Sequence, residues 1–168
     1  LAEQTDADIV VSNYARLWKD KILPATKHQA FALCSPSSEE FRFQGFFSVG
    51  TLSYAWGKLY RREFLRNHQI YFADLSYAED KLFNMQCYIC DAKYAFLEDI
   101  GYIYRKNDMS VSWQYRPDSV ENWFKLVYEL KSWIEKKDKD PKEYTSLIGY
   151  LLIFAAFFDG KMEYMQYK

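Results

Sequence analysis

The run Tyr54-Ala55-Trp56-Gly57-Lys58-Leu59-Tyr60-Arg61-Arg62-Glu63, read with Tyr77-Ala78-Glu79-Asp80 and Tyr102-Ile103-Tyr104-Arg105, decides the fold. The first block passes from aromatics through a glycine into a short basic helix, expected over residues 61–68 with Asn67 as its stop. The second block sets two adjacent carboxylates at the start of an apolar helix that runs to about Ala92. Ser76 and Glu79 have the spacing of a capping box, in which the hydroxyl caps the N3 amide and the acid reaches back. Within that helix Phe83, Cys87 and Cys90 form one stripe and Leu82, Met85 and Ile89 a neighbouring one, so most of its surface is expected to be buried. The third block is an aromatic strand ending in an arginine.

Outward from these blocks the chain alternates strands and helices. Residues 7–14 read as a buried, β-branched strand preceded by the tail of a helix ending near Asp6. Residues 16–27 read as a second strand closed by Pro24. Ser35-Pro36-Ser37-Ser38-Glu39-Glu40 signals a helix start, with hydroxyls for the cap and acids in the first turn. Residues 94–97 and 102–105 read as two strands joined near Asp99-Ile100-Gly101. A long helix is expected over 118–137, with Asp118 and Glu121 as a cap pair and Lys136-Lys137 favourable at its C-terminal end. Asp140-Pro141 opens the last helix, with proline at the first helical position. Its apolar run, 147–158, falls short of the roughly 20 residues of a membrane span. It suits a buried or interfacial helix, with residues 136–140 as a hinge on which it could swing.

Composition narrows the class. Hydrophobic residues at 49% and charged residues at 27% over 168 positions fit one ordinary globular domain and argue against disorder. Aromatic content is high, with 15 Tyr, 13 Phe and 5 Trp, which provides large buried area or stacking surfaces. A net charge of −1 lacks the basic excess that phosphate backbones require, so nucleic acid is not an expected partner. Cys34, Cys87 and Cys90 make an odd count that fits a reducing compartment better than a disulfide framework. The first residues carry no basic and apolar leader pattern. Together these features suggest a cytoplasmic location, and the start at Leu1 suggests a cut.

Several residues have the chemistry for a site. Glu79 and Asp80 serve either the helix start or a reaction, since a carboxylate fixed at the lip of a cleft can take a proton from a hydroxyl. Trp56 could stack on a sugar ring or pack in the core. Lys58 and Arg61 could touch phosphate or line a solvated face. Asp6-Ala7-Asp8 spells a metal-binding triplet but reads better as a turn. Cys87-Tyr88-Ile89-Cys90 lies late in a buried helix without a second ligand pair, so packing thiols are expected. A thiol-redox role is a weak alternative.

The order Trp-x-Lys-Leu-Tyr-Arg-Arg-Glu over residues 56–63, the Glu79-Asp80 pair continuing as Leu82-Phe83-Asn84, and Tyr-x-Tyr-Arg-x-x-x-x-Ser over 102–110 resembles bacterial family 2 glycosyltransferases of the GT-A type that build surface polysaccharides. The resemblance covers about residues 5 to 115. It implies a helix-rich α/β fold: an incomplete GT-A, nucleotide-diphospho-sugar transferase fold over residues 1–115 with a C-terminal helical extension over 116–168. It also implies inverting transfer of a sugar from a nucleotide-sugar to an acceptor hydroxyl. Asp80 would be the base and Glu79 its acceptor-side neighbour. Arg105 and Ser110 would lie in a loop closing over the donor diphosphate. The family's metal-binding aspartate motif has no counterpart here. A divalent metal, Mn or Mg, is therefore expected in a full-length enzyme and not on this chain, which alone should be inactive. Implied partners are the nucleotide-sugar and a saccharide or lipid-linked acceptor, with peripheral membrane contact or a homodimer through the last helices. The alternative is a non-catalytic helical interaction module.

Overall fold

The computed structural model describes residues 2–24, 28, 32, 34–47, 50–105 and 116–167. Its elements are α1 (Ala2–Thr5), β1 (Ile9–Trp18), β2 (Lys21–Pro24), α2 (Glu39–Phe47), β3 (Lys58–Tyr60), α3 (Arg62–His68), α4 (Glu79–Ile89), β4 (Tyr94–Arg105), α5 (Ser119–Lys136) and α6 (Thr145–Gln166). The fold is mixed α/β and rich in helix.

β1 is the axis of the sheet. On one side it pairs in parallel with β4; on the other it pairs antiparallel with β3 at Ile9–Val11 and with β2 at Ala15–Trp18. Residues 16–27 therefore do not form one strand. Arg16 to Trp18 complete β1, and Lys19 and Asp20, both with positive φ, turn the chain into β2 as a two-residue hairpin requires.

β4 is continuous where two strands were expected. Ser12 pairs with Leu97, Asn13 with Ile100 and Tyr14 with Tyr102, so Glu98, Asp99 and Gly101 bulge out without breaking the ladder. Asn13 stabilises the bulge by donating from Nδ2 to the Glu98 carbonyl at 2.7 Å. The turn-like composition of this stretch thus marks a bulge.

α4 packs on the sheet. Its Phe83, Cys87 and Cys90 join Ile9, Val11, Phe64, Ile70 and Ala92 in one buried cluster. Its Leu82, Met85 and Ile89 turn to a larger cluster with Phe41 of α2, Trp123, Leu126, Leu130 and Ile134 of α5, and Leu147, Leu151 and Ala155 of α6. The two sequence stripes face these two clusters. Residues 116–167 thus share a core with the strand-bearing part. The stretch 136–140 is held by Lys137 Nζ donating to the His68 carbonyl and by an ion pair between Lys139 and Asp91.

Helix boundaries follow local chemistry, not always as expected. Ser38 Oγ accepts from the Phe41 amide at 3.1 Å and caps α2. Asp140 Oδ1 accepts from the Lys142 amide at 3.0 Å and opens a short 3₁₀ turn, Pro141–Tyr144, that leads into α6. α3 stops at Gln69, in the left-handed region at φ 56°, two residues past Asn67. Neither expected cap pair forms. Ser76 Oγ donates to Asn122 Oδ1 of α5 at 3.1 Å, and α4 instead begins after Ala78 in the left-handed region at φ 62°. Asp118 makes no side-chain cap; its carboxylate takes Arg116. At Ser76 a tertiary partner has won over the local backbone, and at Asp118 a neighbour two residues back has.

The helical segment Pro141–Gln166 is longer than its apolar run and, by length and composition only, reaches what a membrane crossing needs. One face is buried through Leu147, Leu151, Ala155 and Met162, while Leu152, Ile153, Phe157 and Met165 are exposed.

Candidate functional site

Asp80 sits in the first turn of α4, and its side chain keeps 25% of its surface exposed. The carboxylate is set in a half-buried ring of polar and aromatic groups and is not walled off. Burial raises its pKa above the usual carboxylate range; Lys81 and Lys58 oppose that shift, and the Glu79 charge adds to it. Lys81 Nζ stands 3.9 Å from Asp80 Oδ1. The main chain of Asp80 is tied from the sheet: Tyr60 donates to Asn84 Oδ1 at 2.8 Å, and Asn84 Nδ2 donates to the Asp80 carbonyl at 2.7 Å.

Lys58 extends from β3 opposite Val11, on the strand face that α4 covers, and donates from Nζ to the Tyr54 carbonyl. Loss of water around its ammonium pushes its pKa down to about 7, with the charge of Asp80 as the leading opposing influence. Lys58 is half-buried. It lines a small pocket with Ser12, Tyr14, His28, Tyr54, Trp56 and Gly57. Gly57, at φ 70°, lets the preceding loop dock on β1, where its carbonyl accepts from both the amide and the hydroxyl of Ser12.

Trp56 is the centre of an aromatic stack. Tyr54 lies parallel to it at 4.6 Å and Tyr102 at 4.7 Å, while Tyr14 meets it edge-on at 4.9 Å. Its ring surface is thus engaged inside the fold, and Tyr102, at 37% exposure, carries the stack to solvent. Burial pushes Tyr54 up to about 12, so the phenol stays neutral at ordinary pH.

Arg105 ends β4 and is exposed. Side chains alternate along a strand, and Tyr102 and Tyr104 both face Trp56. Arg105 therefore belongs to the opposite face, with Ile103 and Leu17. The fold does not bring it into the Trp56 group. Arg16 takes that place: it pairs with Tyr104 as Tyr14 pairs with Tyr102, and its charge bears on Tyr54. Sequence reading missed Arg16 and Lys81. The period-2 spacing of Tyr14 and Arg16 was a usable signal for the first; nothing local singled out the second. Ser110 lies outside the described residues. Glu79 is half-buried beside Asp80 and acts on it through charge.

Asp6 and Asp8 are engaged in ion pairs. Asp6 pairs with Arg61 at 3.0 Å and Lys93 at 2.9 Å, which hold its carboxyl below the usual range. Asp8 accepts from the Lys93 amide. Among the described residues no cluster of three or more His, Cys, Asp or Glu side chains could hold a metal ion. Cys87 and Cys90 are buried, and burial pushes both thiols up, away from the reactive thiolate.

No protein-family model and no curated protein matches this chain. Solved structures do. S. aureus TarS 1-349 in complex with UDP-GlcNAc superposes with a TM-score of 0.61 at 19% identity, covering 89% of this chain and 41% of that one. A second structure of S. aureus TarS 1-349 gives 0.55 at 18% identity, covering 90% and 39%. The chain therefore shares the fold of TarS 1-349 over less than half of that chain's length.

Proposed function

We propose that this chain is the acceptor-side part of an inverting, family 2 glycosyltransferase that moves a sugar from a nucleotide-sugar, of the kind UDP-GlcNAc represents, to an acceptor hydroxyl in bacterial surface polysaccharide or glycolipid synthesis. The observation that carries this reading is the setting of Asp80: a quarter-exposed carboxylate at a helix start, flanked by Lys58 and Lys81. The TarS-like fold supports it.

In the proposed reaction an Asp80 oxygen accepts the proton of the acceptor hydroxyl as the hydroxyl oxygen bonds to the anomeric carbon. The nucleoside diphosphate leaves with the electrons of the broken C–O bond. Tyr102, backed by Trp56, offers an aromatic wall for a sugar face, and Lys58 and Arg16 offer positive charge. Arg105, at the end of β4, and Ser110 beyond it are the proposed contacts to the donor diphosphate. The divalent metal that the family resemblance implies has no donor set among the described residues.

The exposed stripe of α6 supports a location at the inner face of the membrane, beside a lipid-linked acceptor. A homodimer through the same stripe is the competing use.

The test is Asp80→Asn in the full-length parent. The expected result is loss of transfer by about 100-fold or more with the fold unchanged, in the range a general base supplies. Transfer within about twofold of the parent would sink the reading and favour a non-catalytic helical module.

A further inference from the structure

We infer that Lys81 is a positioning residue for Asp80: its ammonium, held against Phe154 of α6, sets the charge and orientation of the carboxylate and makes the C-terminal helix part of the site. The inference rests on the proposed role of Asp80.

Lys81 is only 6% exposed, in the first turn of a helix whose every other residue from Leu82 to Ile89 is also buried. Removing an ammonium from water costs several kcal/mol unless charge and hydrogen bonds offset it. A leucine would fill the same space without that cost. The ammonium instead lies 3.9 Å from Asp80 Oδ1, 4.7 Å from the centroid of the Phe154 ring and 5.8 Å from that of Tyr54. Among the described residues Asp80 is the one carboxylate within ion-pair reach of it. Ring faces attract cations, and the attraction grows as water is excluded. The Phe154 ring thus holds the ammonium within reach of Asp80 and supplies no competing anion; burial lowers the pKa of Lys81 itself, and the Asp80 charge is the leading influence against that.

The other groups that bear on Asp80 are known. Glu79 repels its charge from the same helix, and Lys58 attracts it from β3. The phenols of Tyr54, Tyr60 and Tyr77 feel its charge from the sheet and the loops beside it, and burial keeps all of them neutral. Lys81 is the leading opposition to burial at Asp80, so its loss should leave the carboxyl protonated over a wider pH range. A protonated carboxyl cannot accept a proton.

The experiment is a titration of the Asp80 carboxyl carbon by ¹³C NMR in this 168-residue chain, assigned by its disappearance in Asp80→Asn. Lys81→Met should tighten proton binding at Asp80 by about tenfold or more, a midpoint one pH unit higher. Lys81→Arg should restore most of the difference. Where Lys81→Met does not fold, Lys81→Gln is read instead and should move the midpoint upward in the same way. An unmoved midpoint in a folded Lys81→Met, or in Lys81→Gln when that variant is the one read, overturns the inference. The titration needs no donor, acceptor or turnover, so its failure would leave the transfer assay of Asp80→Asn untouched.

Discussion

The Tyr60 hydroxyl donates to Asn84 Oδ1 at 2.8 Å, and this bond joins the short strand β3 to the helix that carries Asp80. Asn84 then donates to the Asp80 carbonyl one turn back. The catalytic candidate is thus registered against the sheet by two side chains with no direct part in chemistry. Tyr60→Phe should lower stability by about 1 kcal/mol, the net worth of one hydrogen bond. Asn84→Ala should cost more, about 1–3 kcal/mol, because it removes two hydrogen bonds and leaves the Tyr60 hydroxyl only the longer contact, 3.4 Å, to the Ala55 carbonyl. Urea unfolding of both variants checks this, and equal stability to the parent would refute the coupling.

Gly101 permits the β4 bulge by close approach. A Cβ there would lie 2.5 Å from Ser12 Oγ and 2.7 Å from Ser12 Cβ. Since Ser12 is itself pinned to the Gly57 carbonyl, it cannot give way cheaply. Gly101→Ala should destabilise by about 1–3 kcal/mol. Adding Ser12→Gly should recover part of that loss, because the clash is with this one side chain. If the double variant is no more stable than Gly101→Ala, the clash is not the cause.

Lys58 makes folding depend on pH. Its pKa falls from an ordinary 10.5 to about 7 in the folded chain. Between those values the unfolded chain binds more protons, so stability contributed through this group rises with pH. The penalty is fully present below about pH 7 and disappears as pH climbs toward 10.5. Lys58→Met should flatten the stability-versus-pH slope in that window when compared with the parent by denaturant titration. Parallel slopes would show that Lys58 keeps its charge in the fold.

The exposed stripe of α6 gives the membrane reading a direct assay. Ile153 and Phe157 are 59% and 72% exposed. If this stripe docks on lipid, the chain co-floats with liposomes and the pair Ile153→Ser, Phe157→Ser abolishes flotation. Equal partitioning of the two proteins would remove the membrane and leave self-association, read by sedimentation.

Much of the local structure was determined by the sequence alone. The two apolar stripes of α4 face two different clusters because a helix with hydrophobic residues on most of its surface has to be covered on each. The Asp140-Pro141 start of the last segment depends on its own residues and formed as read. The caps expected at Ser76 and Asp118 did not: Ser76 found Asn122 across the fold, a partner that sequence spacing cannot reveal, and Asp118 took its neighbour Arg116. The β4 bulge was misread for the same reason: only a parallel partner running beside it keeps a Glu-Asp-Ile-Gly stretch in one strand. Asp80 could be picked out as a carboxylate at a helix start, but its charge environment was decided in three dimensions. The charge of Lys58 bears on it from a strand, and Lys81 beside it lies over the Phe154 ring of the last helix. Propensity and periodicity act over a few residues; the electrostatics of a half-buried carboxylate depend on which groups the tertiary fold brings within a few ångströms.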